Sequence, residues 1–276
     1  MLKIDLTGMA GIVTGGASGI GKAISARLVR AGARVVIADV NEKEGIKAEN
    51  ELNKDIPSEK GPRAEFIRVD VSLKASVEAM ADKAAEKYRK IDFLVNNAGI
   101  LIPRLLVDPA GREEITEEIF DRMVAINQKG SLFCAQAVAR KMIKERVKGV
   151  IINVSSESGL EGSQGQSVYA STKAAQYSFT RSWAKELGVN GIRVVGVAPG
   201  ILETTGLRTG EYERALAYTR GITVEKLRES YEKVSIPLGR VGRLEEVANT
   251  VCFLISGYAS YITGTVVNIS GGKSRA

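Results

Sequence analysis

The stretch AGIVTGGASGIG, residues 10–21, decides the fold. It opens with a short apolar run that predicts a buried strand, and a loop of small residues follows. The chain then continues into a helical pattern in which Ile20, Ile24 and Leu28 share one side. A second apolar run, RVVIAD at 34–39, predicts the next strand. A strand, a glycine-rich loop, a helix and a strand in this order are typical of the nucleotide-binding half of a doubly wound sheet.

The loop in this unit indicates a dinucleotide site. Small side chains let the backbone come close to a pyrophosphate, whose charge is favoured at the N-terminus of the helix that follows. Three residues separate Gly15 from Gly19, so the glycine spacing differs from the commonest dinucleotide fingerprint. A plain turn between strand and helix is the alternative interpretation. The predicted contacts in the loop are Gly15, Ser18, Gly19, Ile20 and Gly21.

Asp39 stands at the carboxyl end of the second predicted strand, where an acidic residue can bind both hydroxyls of an adenosine ribose. The same carboxylate would repel the additional 2′-phosphate of NADP. No Lys or Arg follows at once, since Val40 and Asn41 come next. We therefore predict NAD as the cofactor, and a solvated Asp at a strand end is the alternative.

Apolar runs of strand length alternate with helical patterns along the rest of the chain. This alternation is typical of a Rossmann-like, doubly wound parallel α/β sheet of about seven strands with helices on both faces. No domain break is evident, so residues 1–276 are expected to form a single domain. A charged, helix-prone segment at about 201–235 is predicted to be a lid over the substrate. Further strands are predicted at 64–69, 91–95, 150–154, 192–198 and 265–269.

Two of these strands end in residues that could approach a nucleotide. Asp70 and Val71 follow the third strand, and Asp70 could reach the adenine amino group or could instead cap the next helix. After the fourth strand, Asn97, Ala98 and Gly99 leave room for a cofactor, although a plain turn is the alternative.

Asn127 interrupts a long helical pattern that runs from about 116 past Gly130 to 146. Asn is a poor helix former because its side chain competes for backbone hydrogen bonds. We therefore expect a local distortion that frees a backbone carbonyl, and an exposed Asn is the alternative.

The stretch from Ser155 to Lys173 carries the residues best suited to chemistry. Ser156 follows the fifth strand, at the edge where open α/β sheets place their ligands. Tyr169 and Lys173 are four apart in a helical pattern, so they share one face. A free phenol has a pKa of about 10, and a nearby ammonium would lower it. Ser156 could then hold a substrate oxygen in line with the phenol, whereas an ordinary helix with an exposed Tyr and Lys is the alternative.

Composition limits the other classes of function. The chain has 276 residues, is 44% hydrophobic and carries a net charge of +7 without any histidine, so no His-based triad or His metal site exists and no metal is expected. Basic and acidic residues are interspersed, which argues against nucleic-acid binding. No apolar run reaches the length of a membrane span, and residues 1–5 lack the start of a secretory signal. Together with two cysteines in apolar contexts, this predicts a cytoplasmic protein that binds neither membrane nor nucleic acid.

Taken together, these motifs resemble the short-chain dehydrogenase/reductase family. The resemblance covers nearly the whole chain and implies a dinucleotide-dependent oxidoreductase that forms homotetramers. The matching motifs, in the family's order, are Thr14-Gly15-x-x-x-Gly19-x-Gly21, Asn96-Asn97-Ala98-Gly99, Asn127, Ser156, Tyr169-x-x-x-Lys173 and Pro199-Gly200.

The resemblance also assigns catalytic roles. Tyr169 is expected to be the acid/base, and Ser156 is expected to polarise the substrate oxygen. Lys173 is expected to bind the nicotinamide ribose and to depress the pKa of Tyr169, while Asn127 holds a water in the proton relay. Further cofactor contacts are implied at Pro199, Gly200, Leu202 and Thr204, the last with the carboxamide.

Longer segments narrow the resemblance to members of the family that act on polyol phosphates with NAD. The polar residues between Glu157 and Gln166, among them Glu161, suit a substrate rich in hydroxyls. A phosphate needs cations, and the candidates are Arg104 after the fourth strand and Arg208 in the lid. The segments that carry the narrower resemblance are 127–130, 155–163, 179–183, 198–209 and 217–225.

Two alternatives stay open. The first is a 3-oxoacyl or other small-ketone reductase of the same family, which the bulky polar loop after Ser156 disfavours. The second is a dinucleotide-sensing protein without turnover, which the intact set of Ser156, Tyr169 and Lys173 disfavours.

Overall fold

Parallel strands and helices alternate along the residues that a computed structural model describes, 4–57, 61–203, 209–233 and 236–274. The strands within these residues are β1 Ala10–Thr14, β2 Arg34–Asp39, β3 Ala64–Arg68, β4 Phe93–Asn96, β5 Val150–Val154, β6 Arg193–Pro199 and β7 Val266–Ile269. They form one parallel sheet in the order β3-β2-β1-β4-β5-β6-β7. The predicted doubly wound sheet is confirmed.

Helices cover both faces of this sheet. They are α1 Gly19–Arg30, α2 Glu42–Asn53, α3 Lys74–Tyr88, α4 Glu117–Val124, α5 Gly130–Lys144, α6 Ser158–Glu161, α7 Ser167–Leu187, α8 Gly210–Thr219, α9 Val224–Lys233 and α10 Leu244–Ile255. Successive strand residues point to opposite faces, so Val13 of β1 packs in a core with α1 and α10, whereas Ile12 packs in a second core with α3, α5 and α7. Both side chains are fully buried.

The strand order reverses beside β1, which pairs with β2 on one side and with β4 on the other. Ligands of open α/β sheets bind in the crevice at such a reversal, outside the carboxyl ends of the strands. The loops after β1, β4, β5 and β6 all leave the sheet at this edge, so the candidate residues from four distant parts of the sequence converge there.

The long helix predicted from 116 to 146 is interrupted. It consists of α4, a π-helical turn Ala125–Lys129 and α5, and Asn127 lies in the π-helical turn. The expected distortion at Asn127 is therefore present.

The predicted lid region folds into two helices. α8 and α9 pack around Leu216, Ala217 and Leu227, a small core separate from the two beside the sheet. Residues 204–208 and 234–235 lie outside the described residues. Within the described part of the chain, no helix combines the length and apolarity needed to cross a bilayer.

Candidate active site

Ser156, Tyr169 and Lys173 meet at the carboxyl end of β5. Ser156 is the second residue after the strand, and it lines the same cavity as Tyr169. Tyr169 and Lys173 lie on the first two turns of α7, and the Lys173 Nζ is 5.7 Å from the centroid of the Tyr169 ring. Two bonds fix the helix against the strand. Ser155 Oγ donates to the Lys173 carbonyl at 2.7 Å, and Lys173 Nζ donates to the Val154 carbonyl at 2.8 Å.

Burial dominates the electrostatics of this group. It raises the pKa of Tyr169 to about 12, although the hydrogen bond from Ser156 lowers it, and the charge of Glu157 adds a further increase. Burial also lowers the pKa of Lys173 to about 8. The net pKa of Tyr169 is thus raised, and the expectation that Lys173 depresses it stays a prediction. The ammonium is bonded to a backbone carbonyl, and desolvation of the phenol outweighs the opposing effect of Ser156.

Asn127 ties the loop after β4 to helix α7. Its Oδ1 accepts from the Ile100 amide at 2.8 Å, and its Nδ2 donates to the Ile100 carbonyl at 2.9 Å and to Thr172 Oγ1 at 3.1 Å. Its backbone carbonyl accepts from Gln176 Nε2 at 2.8 Å and from Ser131 Oγ at 3.1 Å. Asn127 thus positions the residue next to Lys173, and its predicted role in holding a water stays a prediction.

The glycine-rich loop between β1 and α1 has the shape needed by a pyrophosphate. A Cβ at Gly21 would lie 2.0 Å from the Gly15 carbonyl oxygen, so only glycine fits there. Asn97 Nδ2 donates to the Thr14 and Gly15 carbonyls at 2.9 and 3.2 Å, which fixes the loop against the end of β4. The first turn of α1 contains no acidic residue, and Ser18 makes no side-chain cap. The backbone amides at the N-terminus of α1 can therefore donate to a bound anion.

Asp39 is held at the adenosine side of this loop. Its Oδ2 accepts from the Ala17 amide at 3.1 Å, and its Oδ1 accepts from the Asn41 amide at 3.0 Å. Asp70 instead accepts from the Ser72 amide and hydroxyl at 2.9 and 2.6 Å, which makes it a turn-forming residue before α3. It does not cap that helix, whose N-cap is Leu73, and its predicted contact with adenine stays a prediction.

The remaining predicted cofactor contacts lie around the same crevice. Val71 is buried beneath the π-helical turn, where a Cβ at Gly130 would come within 2.8 Å of it. Pro199 ends β6, and Gly200 follows it. Leu202 is buried and bridges to Gly242. The predicted contact Thr204 lies outside the described residues.

A cavity of about 450 Å³ opens beside Ser156 and Tyr169. It includes Glu157 and Glu161, as the sequence predicts, and it also contains two cations, Arg220 and Lys273. Much of the wall is polar, which is unusual for a site that binds an acyl chain. The other lining residues are Leu101, Ser158, Gly162, Ser163, Gln166, Gly200, Ile201, Tyr212, Leu216 and Ser230.

One of the two predicted phosphate contacts, Arg104, needs correction. Arg104 does not line the cavity, because its guanidinium forms an ion pair with Glu113 and donates to the Pro103 carbonyl at 2.7 Å. Arg208 lies outside the described residues.

Arg220 and Lys273 were missed. Lys273 follows the carboxyl end of β7, and the rule that ligands gather at such ends could have identified it. Arg220 directly follows α8, and its direction depends on how the lid folds, which the sequence pattern does not show.

Comparison with known proteins agrees with this geometry. A model of the family described as short chain dehydrogenase matches residues 10–214. Sorbitol-6-phosphate 2-dehydrogenase of Klebsiella pneumoniae is 58% identical over 96% of this chain and 95% of its own length. A 3-oxoacyl-[acyl-carrier-protein] reductase of Thermotoga maritima is 37% identical over 97% of this chain and 98% of its own.

The fold is shared with solved structures. One of them, a short-chain alcohol dehydrogenase from Sinorhizobium meliloti 1021, superposes with a TM-score of 0.85 at 30% identity, covering 99% of this chain and 98% of that one. The family match, the identities and the placement of Ser156, Tyr169 and Lys173 lead to one conclusion. The chain belongs to the short-chain dehydrogenase family, and it is a dinucleotide-dependent oxidoreductase that acts on a CH–OH group.

Proposed function

We propose that the protein is an NAD-dependent dehydrogenase that interconverts sorbitol 6-phosphate and fructose 6-phosphate. The observation that carries this proposal is the cavity beside Tyr169, whose wall combines carboxylates, hydroxyls and two cations. A hexitol phosphate offers hydroxyls and a dianion to these groups. The 58% identity to the Klebsiella sorbitol-6-phosphate 2-dehydrogenase supports the same substrate.

The reductase alternative is less well supported by the wall of the cavity. An acyl thioester would place an apolar chain against Glu157, Glu161 and Gln166, and a site that binds such a chain is usually lined by apolar side chains. Hydroxyls of a polyol would satisfy the same groups, and a site built to bind hydroxyls rejects analogues that lack them. The reductase of Thermotoga maritima is also the more distant of the two relatives, at 37% identity.

The residues of the chain account for the proton chemistry. In the oxidising direction Tyr169 acts in its phenolate form and accepts the proton of the C2 hydroxyl, while Ser156 donates a hydrogen bond to the oxygen that gains negative charge. A bound dinucleotide supplies the acceptor for the hydride that leaves C2. In the reducing direction Tyr169 returns the proton, and its raised pKa keeps the phenol protonated and ready to donate near neutral pH.

Lys173 places a second titratable group near Tyr169, with its Nζ 5.7 Å from the centroid of the Tyr169 ring. Its pKa of about 8 lies close to neutral pH, so the amine can exchange protons under conditions in which an ordinary Lys stays charged. Lys173 is itself buried, and a Cβ at Gly99 would lie 3.6 Å from its Nζ, which places the amine beside the predicted cofactor crevice.

The cofactor proposal rests on the loop after β1 and on Asp39. The loop amides and the N-terminus of α1 would hold the pyrophosphate, and the anchored Asp39 carboxylate would accept the ribose hydroxyls. A 2′-phosphate at that position would meet a carboxylate instead of a cation. This supports NAD over NADP.

Two further expectations accompany the proposal. β7 lies at the edge of the sheet and stays half-exposed, so a second copy that packs there would complete its burial, as a homotetramer requires. Light scattering on the purified protein measures this directly. We also expect the enzyme to work in the cytoplasm, where sugar phosphates are found.

Initial rates test the proposed function. Sorbitol 6-phosphate and sorbitol are assayed as alcohols with NAD, and an acetoacetyl thioester is assayed in the reducing direction. Sorbitol 6-phosphate is expected to give the highest kcat/KM of the three. Turnover of the thioester with none of the sugar phosphate would replace the proposal with the reductase. Binding of NAD without turnover of any alcohol or ketone would favour the non-catalytic sensor.

A further inference from the structure

The two cations of the cavity differ in how much charge they offer a ligand. Lys273 forms an ion pair with Glu157, and the side chains are 25% and 10% exposed, so each largely neutralises the other. Arg220 has no acidic partner within the described residues, and its Nη2 donates only to the neutral Ser163 hydroxyl, at 3.3 Å. Arg220 therefore keeps its full positive charge at the cavity wall.

The backbone around Arg220 is fixed in place. The residue follows the last turn of α8, and its amide donates to the Leu216 and Ala217 carbonyls at 3.2 Å. The preceding Thr219 is buried, and its carbonyl accepts from Gln164 Nε2 at 3.1 Å. The end of the lid helix is thus joined to the loop that follows α6.

Glycine at 165 makes that junction close. A Cβ there would lie 2.1 Å from Thr219 Oγ1, and the backbone has a φ of +75°, so both space and conformation require glycine. Because the 162–166 loop and the end of α8 meet in this way, Ser163 and Arg220 face the cavity together.

Polar residues from several parts of the chain line this cavity. Ser156 precedes the short helix α6 in the sequence and Ser163 follows it, and both contribute to the cavity wall. The reacting oxygen belongs beside Ser156 and Tyr169, where the acid/base lies. A substrate with its alcohol there would extend its other end toward Ser163 and Arg220.

We infer that Arg220, assisted by the Ser163 hydroxyl, binds the phosphate of the substrate. The inference rests on the proposed function and assigns its phosphate subsite. A guanidinium presents paired N–H donors that match two phosphate oxygens, whereas a neutralised Lys–Glu pair suits uncharged hydroxyls. Arg220 lies at the end of α8, so the bound phosphate would also tie the lid to the rest of the site.

The test compares two forms of the enzyme on two substrates, one with a phosphate and one without. kcat/KM is measured for the wild-type enzyme and for Arg220→Gln with sorbitol 6-phosphate and with sorbitol. The expected loss for Arg220→Gln is about 10- to 100-fold with the phosphate substrate, as for a charge-assisted hydrogen bond, and less than about twofold with sorbitol. The retained activity on sorbitol shows that the variant is folded.

Two controls give the experiment its specificity. Arg214→Gln removes the same charge from the exposed part of α8 without touching the cavity, so it should leave both rates within about twofold. Lys273→Gln tests the other cation. A loss of phosphate preference in Lys273→Gln but not in Arg220→Gln would overturn the inference.

The failure of the inference is distinguishable from the failure of the proposed function. If the wild-type enzyme itself turns over sorbitol and sorbitol 6-phosphate equally, the proposed substrate is wrong. If the wild-type enzyme prefers the phosphate and Arg220→Gln keeps that preference, only the assignment of Arg220 is wrong.

Discussion

Replacing Lys273 with Met should destabilise the protein, because it would leave the Glu157 carboxylate buried without its partner. Glu157 is 7% exposed, its Oε1 pairs with Lys273, and its Oε2 is buried without a hydrogen bond within the described residues. The carboxylate also has little freedom to move, since a Cβ at Gly200 would lie 2.8 Å from Oε2. Met keeps most of the apolar stem of Lys and removes only the charge and its donors.

The magnitude follows from the burial of the two groups. Breaking a fully buried pair by removing one partner costs about 3–5 kcal/mol, and the quarter exposure of Lys273 reduces this to about 2–3 kcal/mol. For a chain of this size such a loss lowers Tm by about 4–6 °C. Denaturant unfolding at pH 7 measures the free energy, and Lys74→Met, which breaks an exposed pair with Glu78, is the control, at about 0.5 kcal/mol or less.

A double-mutant cycle decides whether the reasoning is right. Glu157→Gln alone is expected to cost about 1 kcal/mol, because the Lys273 ammonium left behind can still reach water. The double variant should cost at least about 1 kcal/mol less than the sum of the two single variants, because no uncompensated charge remains. Additivity within about 0.5 kcal/mol would show that the two side chains do not stabilise each other.

Three further predictions concern the chemistry. Tyr169→Phe should lower kcat at least about 1000-fold in both directions while dinucleotide binding, measured by fluorescence titration, is retained; an undiminished rate would remove Tyr169 as the acid/base. Because the pKa of Tyr169 is raised to about 12, the phenol is protonated at neutral pH, so initial rates of oxidation should rise from pH 7 to 10 and those of reduction should not; a pH-independent oxidation would contradict this. Asp39→Ser should lower the ratio of kcat/KM with NAD to that with NADP about 10-fold or more, because the carboxylate that repels the 2′-phosphate is gone; an unchanged ratio would mean that other groups select the cofactor.

The sequence predicts those parts of the fold that depend on the pattern of apolar residues within a short segment. A strand of β1 type buries both faces, so it reads as a continuous apolar run, and a helix such as α1 repeats its apolar side chains with the helical period. Tyr169 and Lys173 are predictable for the same reason, since a spacing of four residues fixes their shared face on α7. Ser156 is predictable only as a residue that follows the end of a predicted strand.

Contacts between segments that are distant in the sequence are not predictable from local patterns. The sequence alone shows no partner for Arg104. In the structure the chain folds back so that the Leu105 amide donates to the Glu113 carbonyl at 2.7 Å. This places the Glu113 carboxylate beside the Arg104 guanidinium, with which it forms an ion pair. Spacing along the chain does not show such a reversal. The pKa of Tyr169 likewise depends on its burial, which the spacing of Tyr169 and Lys173 along the chain does not show.

The residues proposed for catalysis and those proposed for substrate binding lie in different parts of the chain. This explains why the sequence predicts the first set better than the second. The family model matches residues 10–214, which include the proposed acid/base Tyr169, Ser156, Lys173 and the glycine-rich loop. The two cations among the described residues that line the cavity, Arg220 and Lys273, lie after residue 214. The residues that we propose for proton transfer therefore lie within the matched residues, while the two described cations that we propose for the substrate lie beyond them, after α8 and after β7. It follows that exchanging residues beyond 214 between this chain and a relative with another substrate should change substrate preference before it changes the acid/base chemistry.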